Sequence, residues 1–189
     1  MNATTPAAPT MATGAIAFSD IVGFTELTSD HGDDLALAMV ERHEALVTAE
    51  LGRHGRIVKQ LGDGLLLFFD DPCAAVQSML NIHRRAAEQS SGPTFDDIPF
   101  WLRSGLHWGS PRARGLDLIG HDVNLASRIS GLASPGELLA TDALLKEIGA
   151  QRDQFTRIGP VYVKGVADPV RVWRAAASPA MNAGLRAAR

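Results

Sequence analysis

A single cysteine, Cys73, stands in the 189 residues. One thiol can form neither an intramolecular disulfide nor a cysteine-rich zinc site, so a reducing compartment, the cytoplasm, is expected. Positive charge is also scarce, with 18 Lys and Arg against 21 Asp and Glu and a formal net charge of −3. No basic field is available to hold a nucleic-acid backbone, and an anionic ligand must be met by a few local groups. Long apolar runs are missing too. The densest, residues 65–69, falls far short of the roughly 18 residues of a spanning helix, so no membrane partner is expected. Residues 1–13 are rich in Ala, Thr and Pro and lack the basic start and apolar block of a signal peptide. They are expected to be a loose tail, as are the Ala-rich residues 176–189. The remainder, residues 14–175, suits one domain with a sizeable core, given 46% hydrophobic residues overall.

Within that domain, residues 14–19 form a short apolar run that ends in Asp20, the pattern of a buried strand delivering an acid at its end. Gly23 then leads into a predicted helix, and apolar residues at helical spacing predict a longer one over 33–51. Residues 56–61 and 65–69 are apolar runs separated by Gly62-Asp63-Gly64, a hairpin signal with Asp63 at its tip. Asp71-Pro72 opens a helix to about Ser90, and residues 91–97 read as a polar loop. Strands are predicted at 100–108 and 116–119, a helix at 121–132, a strand at 137–141, a helix at 142–149 and a final pair at 161–163 and 170–173. This order is that of an α+β, ferredoxin-like split βαβ core with additional strands and helices.

In such a core the first strand lies beside the hairpin, so Asp20 and Asp63 can converge. Hard oxygen ligands of this kind suit Mg2+ or Mn2+, and two such ions can assist phosphoryl chemistry. Taken singly, each aspartate is better explained as a turn former. The backbone N–H groups after Gly23, at Phe24 and Thr25, favour phosphate oxygens. Neither a Gly-Lys-Ser/Thr phosphate loop nor a GxGxxG turn occurs. The six histidines show no zinc-ligand pairing and are expected to be structural or solvated.

Several segments together resemble the catalytic domain of class III adenylate and guanylate cyclases. Phe18-Ser19-Asp20-Ile21-Val22-Gly23-Phe24-Thr25 is similar to that family's first metal-binding signature, and Lys59-Gln60-Leu61-Gly62-Asp63-Gly64 to its second. Residues 103–109 resemble its central strand, residues 117–128 its catalytic helix motif, and Val163-Lys164-Gly165 its late Lys-Gly motif. The resemblance implies the class III cyclase fold and an enzyme that makes cyclic AMP and pyrophosphate from ATP.

The roles it implies fall on particular residues. Asp20, Asp63 and the main chain of Ile21 would hold two divalent ions, Mg2+ or Mn2+. Gly23, Phe24, Thr25, Arg103 and Lys164 would meet the phosphates. Lys59 and Asp117 occupy the purine-selecting positions: a lysine donates to adenine N1 and a carboxylate accepts from its amine, whereas guanine presents the opposite sense. Read without the family, Lys59 could be a solvated strand residue and Asp117 a turn former. Asn124 and Arg128, four apart on one helix face, would orient the ribose and stabilise the growing phosphate charge. The resemblance also implies a homodimer with shared sites, in which Lys59, Asp117, Asn124 and Arg128 face the partner's Asp20 and Asp63. Trp108 departs from the family's small hydroxyl residue and is expected at the dimer interface or restraining the short Pro- and Arg-rich loop 109–115. No sensor segment accompanies the catalytic region in this sequence, so either a stand-alone enzyme or a fragment of a larger regulated protein is expected, the start at Met1 slightly favouring the former. The rival readings are a guanylate cyclase, a silent nucleotide-binding module and a palm-like polymerase, the last disfavoured by the acidic balance.

Overall fold

A computed structural model of the chain describes residues 10–90, 98 and 100–176. The predicted polar loop 91–97, most of the N-terminal tail and the C-terminal tail beyond residue 176 lie outside the described residues. The elements follow as β1 (Thr10–Met11), β2 (Gly14–Ile21), α1 (Phe24–His31), α2 (Asp33–Glu50), β3 (Gly55–Leu61), β4 (Gly64–Phe69) and α3 (Pro72–Ser90). After these come β5 (Leu102–Gly109), β6 (Arg112–Arg114), β7 (Asp117–Ile119), α4 (His121–Ser130), β8 (Leu138–Thr141), α5 (Asp142–Glu147), a 3-10 turn (Gly149–Gln154), β9 (Phe155–Val161) and β10 (Val170–Ala175).

The main sheet has seven strands in the order β3-β4-β2-β5-β8-β10-β9. Its β3-β4-β2-β5 half is antiparallel throughout and is the split βαβ arrangement expected from the sequence. The α4 crossover makes β8 parallel to β5, and β10 and β9 extend the sheet antiparallel. Helices cover both faces, which is why β4 is buried at every position instead of alternating. Ala15, Ala17, Leu65 and Leu67 face Met39, Val47, Val76 and Met79 on the side of α2 and α3. Ile16, Phe18, Leu66 and Phe68 face Val123 and Ala126 of α4. The approach of α4 is close enough that a Cβ at Gly105 would collide with the main chain of Ser130 and Ala126.

Several boundaries differ from the sequence reading. β2 runs one residue past Asp20, because Arg103 of β5 stands opposite that acid and Ile21 continues the buried pattern. The loop expected at 109–115 contains β6, whose Arg-Ala-Arg alternation turns Ala113 toward the core and both arginines outward. β6 pairs with β7 and with Thr10–Met11, so the expected loose tail is ordered at its end. Trp108 packs against the larger core cluster of its own chain, on the side of Leu106. The penultimate strand begins at Phe155, whose ring is buried, and ends before Val163, which is buried in the following turn. Among the described residues no helix is long and apolar enough to cross a membrane.

Two buried histidine–serine pairs stand side by side on the α2/α3 face. His43 Nε2 lies 2.9 Å from Ser19 Oγ, and His83 Nε2 lies 2.9 Å from Ser104 Oγ. The two serines are register partners on β2 and β5. Burial pushes the pKa of each imidazole down to about 4. The unfolded chain therefore takes up protons between about pH 6.5 and 4 that the folded chain refuses, so stability falls as pH is lowered through that window. The loss is expected to reach at most about 3 kcal/mol per imidazole, read as a falling urea midpoint from pH 7 to 4.5. His83→Gln should flatten the profile, and an unchanged slope would contradict the assignment.

Candidate active site

The end of β2 and the β3–β4 hairpin form the acid-bearing half of the site. Asp20 and Arg103 are cross-strand partners, with Arg103 Nε 3.7 Å from Asp20 Oδ2. Gly62, at positive φ, turns the hairpin and puts Asp63 at its tip. Gly64 follows, and a Cβ here would displace the Asp20 carboxylate from its place against the hairpin. The pKa of Asp20 is raised, first by burial and then by the charge of Asp63, with Arg103 opposing the shift. Two carboxylates thus stand close enough to repel.

Next to them, Gly23 adopts a left-handed conformation (φ 72°) and starts α1. Its freedom to do so turns the chain sharply out of β2, leaving the first-turn N–H groups of α1 free of intrahelical partners. Ile21, Val22, Gly23, Phe24, Thr25, Glu26, Asp63 and Arg103 line a cavity of about 430 Å³. A helix N-terminus suits phosphate, yet Glu26 and Asp63 on the wall and the adjacent Asp20 outnumber Arg103, and a polyphosphate could enter only with cations that offset them. Arg103 Nε is buried without a hydrogen-bond partner, an unused donor at this cavity. Among the described residues no three His, Cys, Asp or Glu side chains converge as a self-sufficient metal cage. Two carboxylates with an adjoining main chain instead fit Mg2+ or Mn2+, which take their remaining ligands from water and substrate phosphates.

A second group of residues lies elsewhere on the surface. Lys59 of β3 reaches Asp117 of β7, with Nζ 2.7 Å from Oδ1 and 2.8 Å from Oδ2. Leu118 N–H also donates to Asp117 Oδ1 at 2.7 Å. Asn124 and Arg128 are exposed on one face of α4. Asp122 in the first turn of that helix accepts from Ser110 N–H at 2.7 Å and lies 3.5 Å from His107 Nε2, tying α4 to the end of β5. Arg128 extends toward Gly165, next to the exposed Lys164, with an Nη2 atom 3.8 Å from where a Gly165 Cβ would sit.

The structure therefore joins Ile21, Gly23, Phe24, Thr25, Asp63 and Arg103 in one cavity with Asp20 beside it. It joins Lys59 to Asp117, and Arg128 to the Lys164 turn, but neither group lines that cavity. Sequence reasoning missed Glu26 on the cavity wall, Gly64 under Asp20, and His43, whose Nδ1 lies 3.1 Å from the Asp63 carbonyl. A signal for His43 existed: it falls four residues after Met39 and three before Leu46, on the buried stripe of α2. The Lys59 hydrogen bond is the first cause of a lowered pKa at Asp117. Lys59→Met is expected to move the Asp117 carboxyl titration upward, as followed by carbon NMR. An unmoved titration would mean that the pair is not formed in solution.

Comparisons with known proteins fit this geometry. The adenylate and guanylate cyclase catalytic domain model matches residues 7–175. An adenylate cyclase of Streptomyces coelicolor is 34% identical over 141 residues, covering 74% of this chain and 35% of that protein. One from Glutamicibacter nicotianae is 32% identical over 131 residues, covering 69% of this chain and 30% of that protein. An adenylate/guanylate cyclase/hydrolase structure from Silicibacter pomeroyi superposes with a TM-score of 0.76 at 26% identity, covering 89% of this chain and 98% of the other. The chain spans less than half of the length of the curated relatives set beside it, from 16% to 45%. With its sheet order, its paired aspartates and a family match over nearly all the described residues, the chain belongs to the adenylate and guanylate cyclase catalytic domain family.

Proposed function

We propose that this domain is an adenylate cyclase that converts ATP to 3',5'-cyclic AMP and pyrophosphate as a homodimer. The observation that carries the reading is the meeting of Asp20, Asp63, Arg103 and the Gly23 turn at one cavity. Lys59 and Asp117 support adenine over guanine, since the paired cation and carboxylate offer one donor and one acceptor in the sense that adenine needs. Two divalent ions held by Asp20, Asp63 and the Ile21 main chain would supply the charge that neutralises the triphosphate.

The chain's own groups do the rest. First-turn N–H groups of α1 at Phe24 and Thr25, with Arg103 and Lys164, hold the phosphate tail. Asn124 orients the ribose so that its 3'-hydroxyl faces the α-phosphate. Arg128, permanently charged and planar, offsets the charge that develops as the bond to pyrophosphate breaks. No protein nucleophile is needed, because positioning and charge carry the reaction.

The separation of the two groups supports sharing between two chains. Lys59, Asp117, Asn124 and Arg128 do not line the acid-bearing cavity of their own chain. The exposed apolar side chains Leu61, Leu116 and Ile119 lie near Lys59 and Asp117 in sequence and are natural candidates for burial against a second copy. Asp20→Ala and Arg128→Ala chains, each expected to lose at least about 100-fold in cyclic AMP production, should recover activity when mixed through one intact hybrid site. Heterodimers that form without any recovery would sink the shared-site reading.

A further inference from the structure

We propose that His43 is a positioning residue for the acid pair, a buried imidazole that ties the residue before Asp20 to the main chain of Asp63 and so holds both carboxylates in register for a divalent cation. The inference rests on the metal-site reading above.

Both ring nitrogens of His43 are engaged, and their partners fix the tautomer. Nδ1 lies 3.1 Å from the Asp63 carbonyl, which can only accept, so Nδ1 carries the hydrogen. Nε2 then accepts from the Ser19 hydroxyl at 2.9 Å. Ser19 precedes Asp20 on β2, and Asp63 is the tip of the hairpin that ends beside Asp20. One side chain, 1% exposed, therefore bridges the two segments that bear the acids. Its ring is also set edge-on to Phe100, with centroids 6.2 Å apart and planes at 69°. An apolar residue of similar volume would fill this space without the cost of burying two polar nitrogens, so packing alone does not account for an imidazole here.

The neighbouring pair provides an internal control. His83 is as deeply buried and bonds Ser104, the register partner of Ser19. It faces the backbone of Gly136, not the hairpin tip. If the two histidines serve only the core, removing either should have like effects. If His43 positions the acids, only its loss should weaken cation binding.

The test is Mn2+ binding to the nucleotide-free chain, followed by the EPR signal of the free ion. His43→Phe is expected to weaken Mn2+ binding by about 10- to 100-fold, the usual effect of losing a group that orients a metal ligand. His43→Asn, which can keep a donor toward the Asp63 carbonyl, should recover much of this. His83→Phe should lower the melting temperature while leaving Mn2+ binding within about twofold of the parent chain. Equal shifts for His43→Phe and His83→Phe, or no shift for His43→Phe, would overturn the proposal. Should His43→Phe fail to fold, Ser19→Ala replaces it: a weakened affinity supports the brace and an unchanged one overturns it. Asp63→Ala separates the two levels. Mn2+ binding that survives Asp63→Ala would remove the metal-site reading itself, whereas binding lost in Asp63→Ala but intact in His43→Phe would remove only the brace.

Discussion

Two carboxylates brought together at a half-buried cavity repel each other, and the organisation around them follows from holding that arrangement. Burial and the charge of Asp63 both raise the pKa of Asp20. The fold tolerates this because Arg103 stands across the strand pair and because Gly64 lets the hairpin backbone lie against the Asp20 carboxylate. A divalent cation would remove the repulsion at its source, which makes the acid pair a weak point of the empty fold and a strong point of a loaded one.

The sheet supplies the rigidity that such a pair needs. β2 lies between β4 and β5, covered by helices on both faces, so neither Asp20 nor the hairpin can shift without disturbing a packed core. Alternation along β2 also separates two tasks. Ser19 points toward α2 and α3, where it meets a buried histidine, while Asp20, one residue on, points to the opposite face, across from Arg103. At the other end of β5, Gly109 leaves room for Asp122, which fixes the start of α4 and with it the direction in which Asn124 and Arg128 project.

Much of this was legible in the sequence. The Asp-Gly hairpin, the apolar run ending in Asp20 and the four-residue spacing of Asn124 and Arg128 each reflect local chemistry, and each lies where periodicity and turn signals put it. The order of the split core followed from the same signals. What escaped depends on contacts between distant residues. The Arg-Ala-Arg strand β6 is too short for a period to register, and it exists because Thr10–Met11 and β7 flank it. Trp108 was read from a family comparison at one position, and strand alternation with Leu106 adds what that comparison left out: its half-buried indole packs against the larger core cluster. His43 looked structural because no second ligand stands near it in sequence. Its partners, Ser19 and Asp63, are 24 and 20 residues away and meet only in the folded sheet.

The most direct measurement is product formation by the purified chain given ATP or GTP, with Mg2+ and with Mn2+, resolved by chromatography and mass. Cyclic AMP from ATP, little cyclic GMP from GTP, and no product from Asp63→Ala is the expected result. A folded dimer that yields no cyclic nucleotide under any of these conditions would contradict the account and leave a nucleotide-binding module in its place.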